Sequence, residues 1–159
     1  MQADDRRTIE VLVFQIGGER YGLPAAEVRE VLPAATLAAP PGGRLGLLGI
    51  LNLRGQAVPI LDLRPLLGQA CGPLLPTEHF IIARAGGTWL GLRADTADAL
   101  VVAEWDAEAT SHIRRQWDYL AGVARTGDDL VLVLDPRRLW ERCANAAVQS
   151  AGTFSISSP

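Results

Sequence analysis

The stretch Gly49–Leu67, GILNLRGQAVPILDLRPLL, decides the fold of this chain. Two apolar runs, Ile50-Leu51-x-Leu53 and Val58-x-Ile60-Leu61-x-Leu63, flank a polar island of Asn52, Arg54 and Gly55. The runs read as strands at about Leu47–Leu53 and Gln56–Leu61, with the island as the turn between them. A similar layout recurs at Gly122–Trp140, GVARTGDDLVLVLDPRRLW, where Gly122 and Asp135 each lie 73 residues beyond Gly49 and Asp62. Upstream, Gly17-Gly18 and Tyr21-Gly22-Leu23 lie 69 residues before Gly86-Gly87 and Leu90-Gly91-Leu92. Two ordered sets of landmarks mark an internal repeat. What the copies share speaks to fold, and the Asn-Leu-Arg-Gly island, absent from the second copy, speaks to function.

Working outward, the first copy offers further strands at Glu10–Ile16 and Arg20–Leu23, joined by the Gly17-Gly18 turn. At Glu27–Leu32 strand and helix periods both fit. Pro59 cannot donate a ladder hydrogen bond, which predicts an edge strand or a bulge there. Asp62 is placed to cap a short helix through Leu67, closed by Gly68. Pro33–Gly43 reads as a loop and Gln69–Pro76 as the connector between halves. The second copy has strands expected at Phe80–Ala83, Thr88–Leu92, Ala99–Ala103, Tyr119–Ala124 and Leu130–Leu134. Asp106–Trp117 is irregular or briefly helical, and Asp135-Pro136 opens a terminal helix.

A half of roughly 70 residues buries little on its own. The expected architecture is therefore all-β with short helices: two five-stranded barrels, about 10–75 and 76–143, separate or intertwined, around a shared core. Together they form one domain over 9–145, with 1–8 and 146–159 as flexible tails. A groove where two barrels meet is a common place for a binding site.

The sequence has 159 residues, 48% of them hydrophobic and 21% charged, with a net charge of −3. That balance suits a soluble globular protein and gives no support for a nucleic-acid partner or an anionic membrane surface. The charged start is not a signal peptide, and no apolar run is long enough to span a bilayer. Cys71 and Cys143 are the only cysteines, so neither a disulfide framework nor a metal knuckle is expected. A reduced cytoplasm is the simplest location.

The first half supplies a set of short motifs in a definite order and spacing: Phe14-x-Ile16, Tyr21-Gly22-Leu23, Val28-x-Glu30-Val31, Gly49-Ile50-Leu51-Asn52-Leu53-Arg54-Gly55 and Val58-Pro59-Ile60-Leu61-Asp62-Leu63. Gly91, Asp95, Tyr119-Leu120-x-Gly122-Val123 and Leu130–Leu134 before Asp135 continue the set. The ordered set resembles the CheW-like domain family, the coupling proteins of bacterial chemosensory arrays. The resemblance implies two SH3-like β-barrel subdomains and a non-catalytic adaptor without cofactor or metal. Its implied partners are the regulatory domain of a CheA-type histidine kinase and the cytoplasmic tip of a methyl-accepting chemoreceptor. Neither nucleic acid nor direct membrane insertion is implied. By position, Val28, Glu30 and Arg54 fall at places tied to partner contact or to holding the contact surface in shape. Leu100 falls at an aliphatic position facing the groove, while Asn52, Leu53 and Gly55 complete the island. Pro24, Arg44, Arg93 and Thr96 depart from the family pattern, which bears on the receptor recognised more than on the fold.

Each residue also has a plainer reading. Arg54 could be a solvated turn residue or a brace forked onto a carboxylate. Glu30 could be a surface charge, and Val28 and Leu100 could be core. Asp62 and Asp135 read as helix caps rather than an acid/base pair, and His79 and His112 lack ligand spacing. The alternatives to an adaptor are a ligand- or protein-binding β-barrel module of another signalling system, or a small hydrolase using Asp62 or Cys71.

Overall fold

In the computed structural model, which describes residues 7–39 and 46–143, ten strands form two five-stranded sheets. The strands are β1 (Thr8–Ile16), β2 (Glu19–Pro24), β3 (Val28–Pro33), β4 (Leu47–Leu53) and β5 (Gln56–Leu61), then β6 (His79–Ala85), β7 (Thr88–Ala94), β8 (Thr96–Trp105), β9 (Leu120–Thr126) and β10 (Asp129–Leu134). Helix α1 covers Ala107–Arg114, and residues 136–143 are also helical. The ambiguous Glu27–Leu32 segment resolves into a short 3-10 turn, Ala25–Glu27, followed by β3.

The sequence repeat and the sheets divide the chain differently. One sheet is a closed barrel in the order β1-β2-β10-β9-β8, and the other runs β3-β6-β7-β5-β4. Each sheet thus joins two strands from the start of one copy to three from the end of the other. The copies exchange strands, and the Gln69–Pro76 connector lies between two strands of one sheet rather than between sheets. The second sheet is open: β3 and β4, the counterparts of β8 and β9, do not pair. The two expected five-stranded β subdomains are present; one closes into a barrel and the other leaves β3 and β4 unpaired.

The repeat extends to irregularities. β3 bulges at Arg29, between Val28↔Ala83 and Glu30↔Ile82, and β8 bulges at Asp98, 69 residues on. β4 bulges at Leu48 and β9 at Ala121, 73 residues on. Both sheets also contain a parallel contact in one register, Val133↔Gly22 in the barrel and Ile60↔Gly91 in the open sheet. A Cβ on Gly22 would press on Val11 and Val131, and one on Gly91 on Ile60 and Ile82. Glycine is required there by close approach across the sheet interior.

Pro59 is neither on an edge strand nor at a bulge. β5 lies between β4 and β7, and its pairing with β7 begins at Ile60. In the barrel the matching residue, Leu132, does pair, with Tyr21. The missing N–H of Pro59 is tolerated because the open sheet's parallel ladder, also two pairs long, is shifted onto Ile60 and Leu61.

Three apolar clusters follow from strand alternation. β1 sends Leu12, Phe14 and Ile16 into a core shared by both sheets, and Val11 and Val13 into the barrel. β6 does likewise, with Ile81 and Ala83 in the shared core and Phe80 and Ile82 inside the open sheet. Leu23, Leu61, Leu90, Leu92 and Leu134 complete the seam. Two strands buried on both faces hold the sheets together.

Smaller expectations also changed. β1 begins at Thr8, which pairs with Glu104 and so belongs to the barrel, while residues 1–6 of the expected lead-in lie outside the described residues. The tail 146–159 and the Pro40–Gly43 part of the loop lie outside the described residues. Asp62 starts a single turn, Leu67 N–H to Leu63 C=O at 3.0 Å, rather than a helix.

Candidate functional site

The polar island is a two-residue hairpin turn between Leu53 and Gln56. Arg54 has φ +50° and Gly55 φ +88°, the pair of left-handed conformations of a type I′ turn. Arg54 is the only non-glycine residue with positive φ among the described residues. A side chain in this conformation is disfavoured, so arginine carries a cost that glycine would avoid. The Asn52 side chain supports the turn by accepting from Gly55 N–H at 2.8 Å. Leu53 points into the open sheet's inner cluster and is buried.

Held by this turn, Arg54 reaches across the unpaired gap between β4 and β3 to Glu30. Its two Nη atoms donate to the two carboxylate oxygens at 2.6 and 3.3 Å, a bidentate fork. Those bonds hold the Glu30 carboxyl below the usual carboxylate range. The bulged Arg29 gives a second tie, donating to Gln56 Oε1 at 3.2 Å. Arg29 Nε also lies 3.6 Å from Glu30 Oε2. Side chains thus bridge a gap that backbone closes in the barrel through Glu104↔Arg125 and Trp105↔Ala124.

The seven predicted residues therefore have different roles. Glu30 and Arg54 form a surface ion pair, Asn52 and Gly55 shape the turn, and Leu53 is core. Val28 is half-buried against the shared core. Leu100 is on the other sheet, 59% exposed on β8, with Val102 two residues on at 67%. These two make an exposed apolar stripe along a ten-residue strand.

Sequence reading missed a buried charge network beneath the connector. Arg93, 2% exposed, spends all five donors: on Glu78 at 2.9 and 3.0 Å, Asp62 at 3.1 Å, and the carbonyls of Gly72 and Pro73 at 2.9 and 2.8 Å. Arg64 donates to Glu78 and Asp95, each at 2.7 Å. The second Asp95 oxygen takes Gly17 N–H from the β1–β2 turn at 2.7 Å, joining the other sheet to the network. Burial pushes the Glu78 carboxyl up, but bonds from Arg93, Arg64 and the Leu75 amide outweigh it and hold its pKa at about 2. Asp62 is thus a cap and an ion partner at once, with one oxygen on Arg64 N–H and the other on Arg93. The available signal was Arg93 itself, a cation inside an otherwise apolar strand.

A family model described as the CheW-like domain matches residues 10–143. The chain belongs to the CheW-like domain family. It is 30% identical over 96 residues to the protein FrzA of Myxococcus xanthus, a match covering 60% of each chain. It is 24% identical over 140 residues to the chemotaxis protein CheW of Thermotoga maritima, covering 87% of this chain and 92% of that one. The crystal structure of the scaffolding protein TtCheW from Thermoanaerobacter tengcongensis has the same fold, with a TM-score of 0.66 and 23% identity over 80% of this chain and 89% of that one. The Arg93–Glu78 pair is thus built into a CheW-like fold at a position that sequence reading marked as a departure from the family pattern.

Proposed function

We propose that this chain is a non-catalytic adaptor that couples a methyl-accepting chemoreceptor to a CheA-type histidine kinase. The observation that carries the reading is the family match across residues 10–143. Its role is that of a chemosensory scaffold, in which surfaces rather than reacting groups do the work. Two surfaces suit it. The Leu100–Val102 stripe offers apolar area to a partner helix or barrel face, and on the other sheet the Arg54–Glu30 corner presents a braced ion pair with its arginine exposed. Signal transfer through such an adaptor needs only small differences in affinity between receptor states, on the order of 1–3 kcal/mol. Among the described residues no helix is long and apolar enough to cross a membrane, and the proposed place of action is the cytoplasmic face of a receptor array.

The test is co-purification of the chain with a receptor tip hairpin and a kinase regulatory domain. Wild type is expected to hold both. Arg54→Ala and Leu100→Asp are each expected to lose at least one while keeping the wild-type circular dichroism spectrum. Retention of both partners by both variants would remove these residues from the interface, and failure of wild type to bind either partner would overturn the adaptor reading.

A further inference from the structure

Five side chains form a continuous line along the rim of the open sheet. From the β4–β5 turn, Arg54 forks onto Glu30, and Glu30 Oε2 also faces Arg29 at 3.6 Å. Arg29 in turn lies over the Trp89 ring, its guanidinium carbon 4.9 Å from the centroid, and Arg84 meets the same ring at 5.4 Å. Trp89 is half-buried and packs on the inner cluster of the sheet, so it is a fixed plate bearing two guanidinium groups. The line carries three arginines and one carboxylate, a local charge of +2 on a chain of net charge −3. Past Arg84 the charges balance: the adjoining hollow is lined by Glu27, Arg84, Asp135 and Arg137. The positive rim is thus bounded as well as ordered.

Stacking on an aromatic plate orients a guanidinium while leaving in-plane N–H donors for another group. No carboxylate pairs with Arg84 among the described ion pairs, and Arg29 shares Glu30 with Arg54. We propose that this rim is a docking surface for an acidic segment of a protein partner, with carboxylates accepted by Arg29 and Arg84 across the edge of Trp89. This rests on the adaptor reading and adds the chemistry of the contact. A short acidic protein segment fits better than a nucleic-acid backbone, because a net charge of +2 confined to one rim of a chain of net charge −3 is too small a footprint for a run of phosphates.

The probe is a fluorescein-labelled peptide of alternating Glu and Ala, titrated into the full chain at low and at moderate salt and read by anisotropy and by the Trp89 indole NMR signal. The expected result is saturable binding that shifts the Trp89 signal and weakens with salt. Arg29→Gln/Arg84→Gln should weaken it at least fivefold. Arg114→Gln/Arg115→Gln, with the same change in charge at the end of α1, should change it less than twofold. Equal loss in both double variants, no shift at Trp89, or tighter binding of a single-stranded RNA of matched charge would overturn the proposal. The same double variants are then tested against the receptor tip and the kinase regulatory domain. If both partners bind the Arg29/Arg84 variant as they bind wild type, the docking surface fails while the adaptor reading stands. If neither partner binds wild type, the adaptor reading fails and the peptide titration alone judges the rim.

Discussion

In the closed barrel, β8 and β9 meet through backbone hydrogen bonds at Glu104↔Arg125 and Trp105↔Ala124, whereas their counterparts β3 and β4 in the other sheet leave a gap. The difference extends inward from the strand edges. Val123 gives its carbonyl to Asp106 N–H and its own N–H to the Thr110 hydroxyl, so the start of α1 completes the barrel. Its counterpart Ile50 exchanges both backbone bonds with Ala38, in the segment that follows β3. Across the gap the remaining ties are Arg54 to Glu30 and Arg29 to Gln56. At the barrel positions matching Arg54 and Glu30 stand Gly127 and Ala99, which have no polar side chain to make such a bridge. Backbone pairing of β8 with β9 closes the barrel, while side chains alone span the gap between β3 and β4. The second arrangement leaves charged donors at a rim where a partner can compete for them.

The largest expected effect breaks the buried network, which the barrel lacks. Arg93→Ala strands Glu78 and Asp62 away from water and should cost about 3–5 kcal/mol in urea denaturation. At the matching barrel position stands Pro24, and Pro24→Ala should cost less than about 1 kcal/mol. If the two variants lose equally, the network is not what holds the open sheet.

Acid should attack the open sheet first. Glu78 has its pKa lowered to about 2 from an ordinary 4.5, so its contribution is fully present above about pH 4.5 and is lost as pH falls through about 2. The loss amounts to about 3 kcal/mol, visible as a falling urea midpoint between about pH 5 and pH 2. In Glu78→Gln that slope should be shallower, and an unchanged slope would assign the acid sensitivity elsewhere.

Gly22→Ala and Gly91→Ala probe the feature the sheets share. Each new methyl group meets the ends of two aliphatic side chains. Each should cost about 1–3 kcal/mol by thermal denaturation, and a wide difference between them would argue against a common packing constraint. Gly55→Ala puts a side chain at φ +88° and should cost about 1 kcal/mol. The smallest effect on stability belongs to Arg54→Gly, which places glycine where the backbone favours it and removes the bridge to Glu30. Its thermal midpoint should not fall, while capture of the receptor tip or kinase domain weakens.

Local chemistry made much of this readable in advance. The Leu47–Leu53 and Gln56–Leu61 strands needed nothing beyond their apolar runs and the Asn-Leu-Arg-Gly turn between them. Arg54 stands out by its absence from the second copy, and a brace onto a carboxylate is among the roles its setting allows. Leu53 and Val28 were harder to place, because an apolar residue in a strand reads alike whether it faces a core or a partner.

The sequence by itself determined the strands, the turns, the repeat with its two offsets and the polar island, since these rest on periodicity and on backbone preferences within a few residues. Tertiary structure decided that the copies exchange strands, that one sheet closes and the other stays open, and that Arg93, Arg64, Asp62, Glu78 and Asp95 share one buried network. Strand partners and buried ion pairs join residues distant in sequence, where local preference has no reach. The core to which β1 and β6 each give one face exists only once both sheets have formed.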